Sequence, residues 1–163
     1  MNFKQANKAN FRTGRQSKIQ YLVIHYTANN GDTAAGNASY FANNKVGASA
    51  HFFVDEDEVW QSVKESDIAW HCGSKKYKCT CRNSNSIGIE MCSRKDESGK
   101  YYFMPGTLSN TVKLAREIIK KYNIPAANVI RHYDVTGKTC PAPFVIEPQK
   151  WTGFKDWIIR GLK

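Results

Sequence analysis

Three side chains with metal-ligating chemistry stand at or just beyond the ends of apolar stretches. His25 closes the run Ile19-Gln20-Tyr21-Leu22-Val23-Ile24, His132 follows Val129-Ile130-Arg131, and Cys140 lies in the loop after it. Two imidazoles and a thiolate form a borderline-soft donor set that suits zinc. Three protein ligands also leave the fourth tetrahedral position to water, as in a catalytic site. Zinc so held lowers the pKa of water to about 7 and polarises a carbonyl at the same time. Spacing alone is weak support, because His25 and His132 are more than a hundred positions apart. Hydrogen-bonded core or surface histidines would give the same pattern.

The elements that must bring these residues together can be read from hydrophobic periodicity. The run ending at Ile24 is nearly continuous, as expected of a buried central strand. After the turn-rich Asn29-Asn30-Gly31-Asp32, apolar Ala34, Ala38, Phe41 and Ala42 predict a helix over 33–45, with Asp32 or Thr33 as its cap. Ala50 to Val54 and Val59 to Val63, joined by Asp55-Glu56-Asp57, read as an antiparallel strand pair. Gly73 to Ser86 lacks periodicity and is expected to be a long, functional loop. Ser86 to Met91 is a further apolar strand with one carboxylate, Glu90, inside it. A helix is predicted to open at Thr107, with Leu108, Val112, Ala115, Ile118, Ile119 and Tyr122 on one face, and to end at Asn123-Ile124-Pro125. Val129 to Arg131 is a short strand, and Trp151, Phe154, Ile158 and Leu162 mark a last amphipathic helix. Strands alternating with helices give an α/β fold, a central mixed sheet flanked by helices, with strand ends offering the binding crevice.

The chain has 163 residues, close to the roughly 150 expected per domain, so residues 1–163 are read as one domain with a core over about 18–160. Its 41% hydrophobic and 23% charged residues exclude a disordered or fibrous class. No run approaches the ~18 apolar residues of a membrane span, and the basic first eighteen residues lack the apolar centre of a secretory signal. Synthesis in the cytoplasm without insertion into a membrane is therefore expected. The formal charge of +10 attracts polyanions such as nucleic acid, anionic lipid or acidic wall polymers. Its lysines and arginines are spread out, as in Lys75-Lys76, Lys113-Arg116-Lys120-Lys121 and Arg160-Lys163, and no finger spacing occurs, so a nucleic-acid partner is not expected.

Five cysteines cannot all pair. Cys72, Cys79, Cys81 and Cys92 lie close in sequence and Cys140 stands apart. In a reducing cytoplasm the four read as free thiols; a four-sulfur zinc site, or disulfides outside the cell, are the alternatives.

The strings "YLVIHYTA", "SAHFFVDEDEVWQ", "IAWHCG", "NSNSIGIEM" and "VIRHYDVTGKTCPAP", in this order, resemble the type 2, zinc-dependent N-acetylmuramoyl-L-alanine amidases, which share a fold with peptidoglycan recognition proteins and small bacteriophage amidases. The resemblance covers roughly residues 18 to 160 and implies zinc ligands at His25, His132 and Cys140. Family members that only bind peptidoglycan usually lack the cysteine, so its presence implies an enzyme, with a non-catalytic recognition module as the alternative. The resemblance places a basic residue facing the scissile carbonyl at Lys138 and a general base at Glu90. Where another branch has a tyrosine before the "HF" strand, this chain has Ala50. His71 in "AWHCG" matches a histidine near the substrate groove, with Cys72 where alanine is usual; His51 is read as a core residue. The implied reaction is hydrolysis of the amide between N-acetylmuramic acid and L-alanine of the stem peptide, with the Gly73–Ser86 loop lining the groove. The implied partner is peptidoglycan and the implied setting is cell-wall lysis by a monomeric endolysin or autolysin domain, released through phage lysis or export.

Overall fold

The computed structural model describes residues 1–162, which leaves Lys163 of the last basic pair, and the end of the expected domain, outside the described residues. Along the chain run β1 (Asn2–Phe3), β2 (Phe11–Arg12), β3 (Tyr21–Tyr26), α1 (Ala34–Asn43), β4 (Phe52–Val54), β5 (Val59–Gln61) and β6 (Ile68–Ala69). They are followed by β7 (Ser86–Met91), β8 (Arg94–Lys95), β9 (Tyr101–Tyr102), α2 (Pro105–Tyr122), β10 (Val129–Arg131), α3 (His132–Thr136), α4 (Ala142–Ile146) and α5 (Pro148–Arg160).

Six strands form one mixed sheet in the order β1-β5-β4-β7-β3-β10. β4, β7, β3 and β10 run parallel to their neighbours, β5 returns antiparallel to β4, and β1 lies parallel to β5 at the edge. The expected α/β architecture, a mixed sheet flanked by helices, is what the chain adopts. β3 sits between β7 and β10, as its apolar run requires.

Side chains alternate across the sheet, and the two faces have different work. On one face Leu22 and Ile24 of β3, Ile87, Ile89 and Met91 of β7, and Phe52 and Val54 of β4 pack under α2 and α5. Val112, Ala115, Ile118 and Ile119 supply the α2 stripe, and Phe144, Trp151, Phe154 and Ile158 close the core from α4 and α5. The opposite face carries Val23 and His25, Gly88 and Glu90, and Phe53. Phe53 packs with Ala34 and Ala38 of α1, and Val23 with Val135 of α3.

Local chemistry sets the helix ends. The Thr33 side chain accepts from the Gly36 N–H at 3.0 Å, and Asp55 of the β4–β5 turn accepts from the Ala34 N–H at 2.7 Å. These caps join α1 to the hairpin beside it. α2 opens at Pro105, two residues before the expected Thr107, because proline suits a first helical turn whose N–H groups have no partner. It stops where Asn123 turns left-handed at φ 52°. Periodicity did not anticipate the short ladders β2–β6 and β8–β9, the edge strand β1, or the five-residue helices α3 and α4. None of the described helices is long and apolar enough to cross a membrane.

Ile118 is almost fully buried in this core, so Ile118→Ala is expected to remove about 2–5 kcal/mol of stability. A denaturant titration measures it. A loss well under about 1 kcal/mol would mean that α2 does not cover the sheet in this way.

Candidate metal centre and groove

The register between the two central parallel strands assembles the site. His25 of β3 stands directly beside Glu90 of β7, and Phe53 of β4 is on the other side of Glu90. All three project from the face away from α2, so the carboxylate predicted from its apolar strand shares a surface with the histidine that ends β3.

His132 arrives by a different route. β10 pairs with β3 in parallel, Arg131 beside Ile24, and the chain turns at once into α3, of which His132 is the first residue. Asp134 holds that turn, accepting from the Arg131 backbone N–H at 2.9 Å and from the Arg131 guanidinium at 3.0 and 2.8 Å. Arg131 also donates to the Phe144 carbonyl at 2.8 Å, and the Tyr133 N–H donates to the Cys140 carbonyl at 2.8 Å. The loop carrying Lys138 and Cys140 is therefore folded back onto α3.

The result is that one ligand atom each from His25, His132 and Cys140 lies within 4.8 Å of the other two. His25 Nδ1 is 3.8 Å from Cys140 Sγ and 3.9 Å from Glu90 Oε1. Tetrahedral zinc with bonds of 2.0–2.3 Å needs its ligand atoms about 3.4–3.8 Å apart, so small adjustments would close the set. Among the described residues this is the only group of three or more such side chains placed for a metal. The donors are those of a borderline-soft ion, and the buried Glu90 Oε2 has no hydrogen-bond partner beside them. These residues fit a metal.

Burial dominates the electrostatics. It pushes His25 well below the usual histidine range, with His132 and His71 adding like-charge repulsion, and takes His132 down to about 4, assisted by Lys138. Both rings are thereby neutral, the form that offers a lone pair to a metal. Burial raises Glu90 to about 8, opposed by Lys138 and reinforced by Asp32. It raises the Cys140 thiol to about 12, with Glu90 adding to the shift.

A groove of about 560 Å³ opens over the cluster. His25, His132, Cys140, Glu90, Lys138 and His71 all line it. Lys138 is solvent-exposed at its mouth, and His71 is buried behind His25, its Nδ1 2.9 Å from His25 Nε2. The opposite wall is apolar, with Tyr40 and Phe41 from α1, Ala48, Phe53 and Trp70. Helical spacing had marked Phe41 only as one of the apolar residues of the α1 helix; no pattern in the sequence showed that α1 would lean over the strand ends. The Gly73–Ser86 loop is not among the lining residues. It is tied down elsewhere, by Asn83 Oδ1 accepting from the N–H groups of His71 and Cys72 and by the Lys78 N–H donating to Val135. His51 is fully buried and accepts the Gly88 N–H at 3.1 Å, a core role.

The other cysteines do not form a four-sulfur site. Cys72 and Cys81 share the cluster around Val23, whereas Cys92 packs with Phe53 and α1, and all five thiols are free.

Residues 15–143 match the N-acetylmuramoyl-L-alanine amidase family. The chain is 35% identical over 154 residues to the N-acetylmuramoyl-L-alanine amidase BlyA of Bacillus subtilis, a match covering 86% of this chain and 41% of that protein. It superposes on the structure of PlyL with a TM-score of 0.81 at 26% identity, covering 97% of this chain and 96% of the other. A mutant endolysin from Bacillus subtilis gives 0.78 at 32% identity, covering 96% and 97%. The chain spans about half the length of the curated relatives it matches.

For a metal held by His25, His132 and Cys140, the protonation states would set the pH dependence of binding. The imidazoles are already neutral near pH 7, whereas Cys140 must lose a proton to become a ligand. Zinc affinity, measured by competition with a chelator of known pH response, is expected to rise between about pH 6 and 9. A flat profile would remove the thiolate from the ligand set.

Proposed function

Because the chain belongs to the N-acetylmuramoyl-L-alanine amidase family, we propose that it hydrolyses the amide between N-acetylmuramic acid and the L-alanine of the stem peptide in bacterial peptidoglycan. The observation that carries this reading is the convergence of His25, His132 and Cys140 with Glu90 and Lys138 in one groove. A recognition module would need the groove but not the ligand trio with an in-register carboxylate.

His25, His132 and Cys140 would hold zinc, which would supply Lewis-acid polarisation of the scissile carbonyl and acidify water. Glu90 is the general base, with one oxygen facing His25 and the other unpartnered. It takes a proton from the attacking water as the new C–O bond forms. It then passes that proton to the amide nitrogen as the C–N bond breaks, leaving a lactyl carboxyl group and the free amine of L-alanine. Lys138, the cation at the mouth, balances the negative charge that develops on the carbonyl oxygen. The apolar wall of Phe41, Phe53 and Trp70 receives the uncharged faces of sugar and peptide and keeps bulk water from the bond.

The setting follows from the same reading. The surplus of 24 Lys and Arg over 14 Asp and Glu holds the enzyme against an anionic wall, in keeping with wall lysis by an endolysin or autolysin. The whole chain acts as one catalytic unit, as a monomer, made in the cytoplasm and reaching the wall through phage lysis or export. Peptidoglycan, and neither nucleic acid nor membrane, is its partner.

Mass spectrometry of purified peptidoglycan after incubation, with and without a zinc chelator, tests the activity. New L-alanine amino termini that chelation abolishes are expected; tight binding without new termini would leave a recognition module. Glu90→Gln is expected to keep its zinc and lose at least about 100-fold in turnover. Lys138→Ala should lose about 10²–10³-fold with zinc content unchanged. Full turnover in either variant would refute the role given to that residue.

A further inference from the structure

His25 is bonded through both ring nitrogens. Nδ1 faces Cys140 Sγ and Glu90, while Nε2 lies 2.9 Å from Nδ1 of His71. Only one nitrogen of a neutral imidazole carries a proton, and only the other can hold a metal. Which is which at His25 is decided by a hydrogen-bond chain that runs through His71 and Ser86 to the Arg82 carbonyl. Ser86 Oγ lies 2.7 Å from the Arg82 carbonyl, which can only accept, so the serine hydroxyl donates to it. The Ser86 oxygen, 3.0 Å from His71 Nε2, therefore accepts from His71 Nε2–H. A neutral His71 protonated on Nε2 has a bare Nδ1, which accepts from His25 Nε2–H. The proton of His25 is thus held on the far side of the ring, and the lone pair of Nδ1 points at Cys140.

We propose that His71, anchored by Ser86, is the positioning residue of the metal centre, fixing the tautomer and ring orientation in which His25 presents Nδ1 to the ion. This rests on the reading of His25, His132 and Cys140 as the metal ligands. Buried hydrogen-bond partners of this kind, acting on the outer nitrogen of a ligating histidine, set both its geometry and its basicity.

The fold makes room for this chain of bonds at a cost in sequence freedom. Gly88 lies on the same face of β7 as Glu90, directly under the His71 ring. A Cβ there would come within 2.6 Å of His71 Cγ and Nδ1, which real contacts do not allow. The motif Ser86-Ile87-Gly88-Ile89-Glu90 therefore has three functional positions on one strand face: the anchor of His71, the space for its ring, and the base. The backbone N–H of His71 is also held, donating to Asn83 Oδ1 at 3.0 Å, so both ends of the residue are fixed. His71 is thereby assigned to the ion through His25, a role apart from the substrate contact that resemblance suggests for it.

The test reads zinc affinity and the His25 tautomer, neither of which requires turnover. Long-range ¹H–¹⁵N correlations of the zinc-loaded protein should find His25 protonated on Nε2. His71→Leu, which removes the acceptor while keeping bulk, is expected to weaken zinc about 10–100-fold in chelator competition. His71→Asn, whose amide oxygen can take the place of Nδ1, should recover most of that loss, and Ser86→Ala should weaken zinc in the same direction as His71→Leu by a smaller factor. Unchanged affinity in a folded His71→Leu, or a proton on Nδ1 of His25, would overturn the proposal. If His71→Leu does not fold, Ser86→Ala and the wild-type tautomer decide it. Retention of zinc affinity in His25→Ala and Cys140→Ser would instead overturn the underlying ligand assignment. Loss there with no effect at His71 or Ser86 would overturn the positioning role alone.

Discussion

The site depends on one register. β3 and β7 pair in parallel with His25 beside Glu90, and because side chains alternate, Ile24 and Ile89 stand side by side on the other face. A slip of β3 by one residue would turn His25 into the apolar core under α2, away from Glu90, and expose Leu22 and Ile24 on the groove side. The hydrophobic layer thus does more than stabilise the sheet. By admitting only one pairing of two central strands, it places a histidine and a carboxylate side by side at the strand ends.

Burial then converts this placement into chemistry. Imidazoles in bulk water are partly protonated near neutral pH and compete poorly for metal. Those of His25 and His132 are desolvated enough to stay neutral. The same desolvation raises Glu90 and Cys140, groups that must be anionic to act as base or ligand. A divalent cation among them is the one addition that relieves both costs, since it favours neutral nitrogen and anionic oxygen and sulfur together. Lys138 reaches Glu90 with part of that charge, which is why it is the principal influence opposing the upward shift there.

Much of this was legible in the sequence because it is local. The run ending at Ile24, the strand around Glu90 and the face of α2 each carry their own periodicity, and the motifs around Cys140 and Glu90 carried the resemblance. What was not legible is long-range. β1 has two residues and owes its place to pairing with β5, so no pattern within Asn2-Phe3 marks it. α3 and α4 are too short for a helical stripe and are held by Arg131, Asp134 and the carbonyl of Phe144. The Lys- and Cys-rich loop was expected to line the groove, yet the Lys78 N–H fastens it to Val135 of α3, Asn83 holds it to Cys72, and Arg82 donates to its own Cys79 carbonyl. His71 was visible as a motif residue, but its partner is 46 positions away and only the folded sheet brings them together.

The cysteines show how completely environment decides chemistry. Cys72, Cys81 and Cys140 are all buried, and composition treats them alike. Cys72 has Asn83 Oδ1 as an acceptor at 3.2 Å and apolar Val23 and Val135 around it, so it remains a small core residue with a satisfied S–H. Cys92 lies against Ala34, Ala38 and Phe53, where Asp32 and Asp55 disfavour a thiolate further. Only Cys140 faces an imidazole nitrogen whose lone pair is directed at it, with a second neutral histidine in reach and a lysine two residues away in its own loop. Sulfur in that position is costly as a bare thiolate and inexpensive as a ligand. The sequence separation that first set Cys140 apart from the other four therefore corresponds to a difference in what surrounds the sulfur.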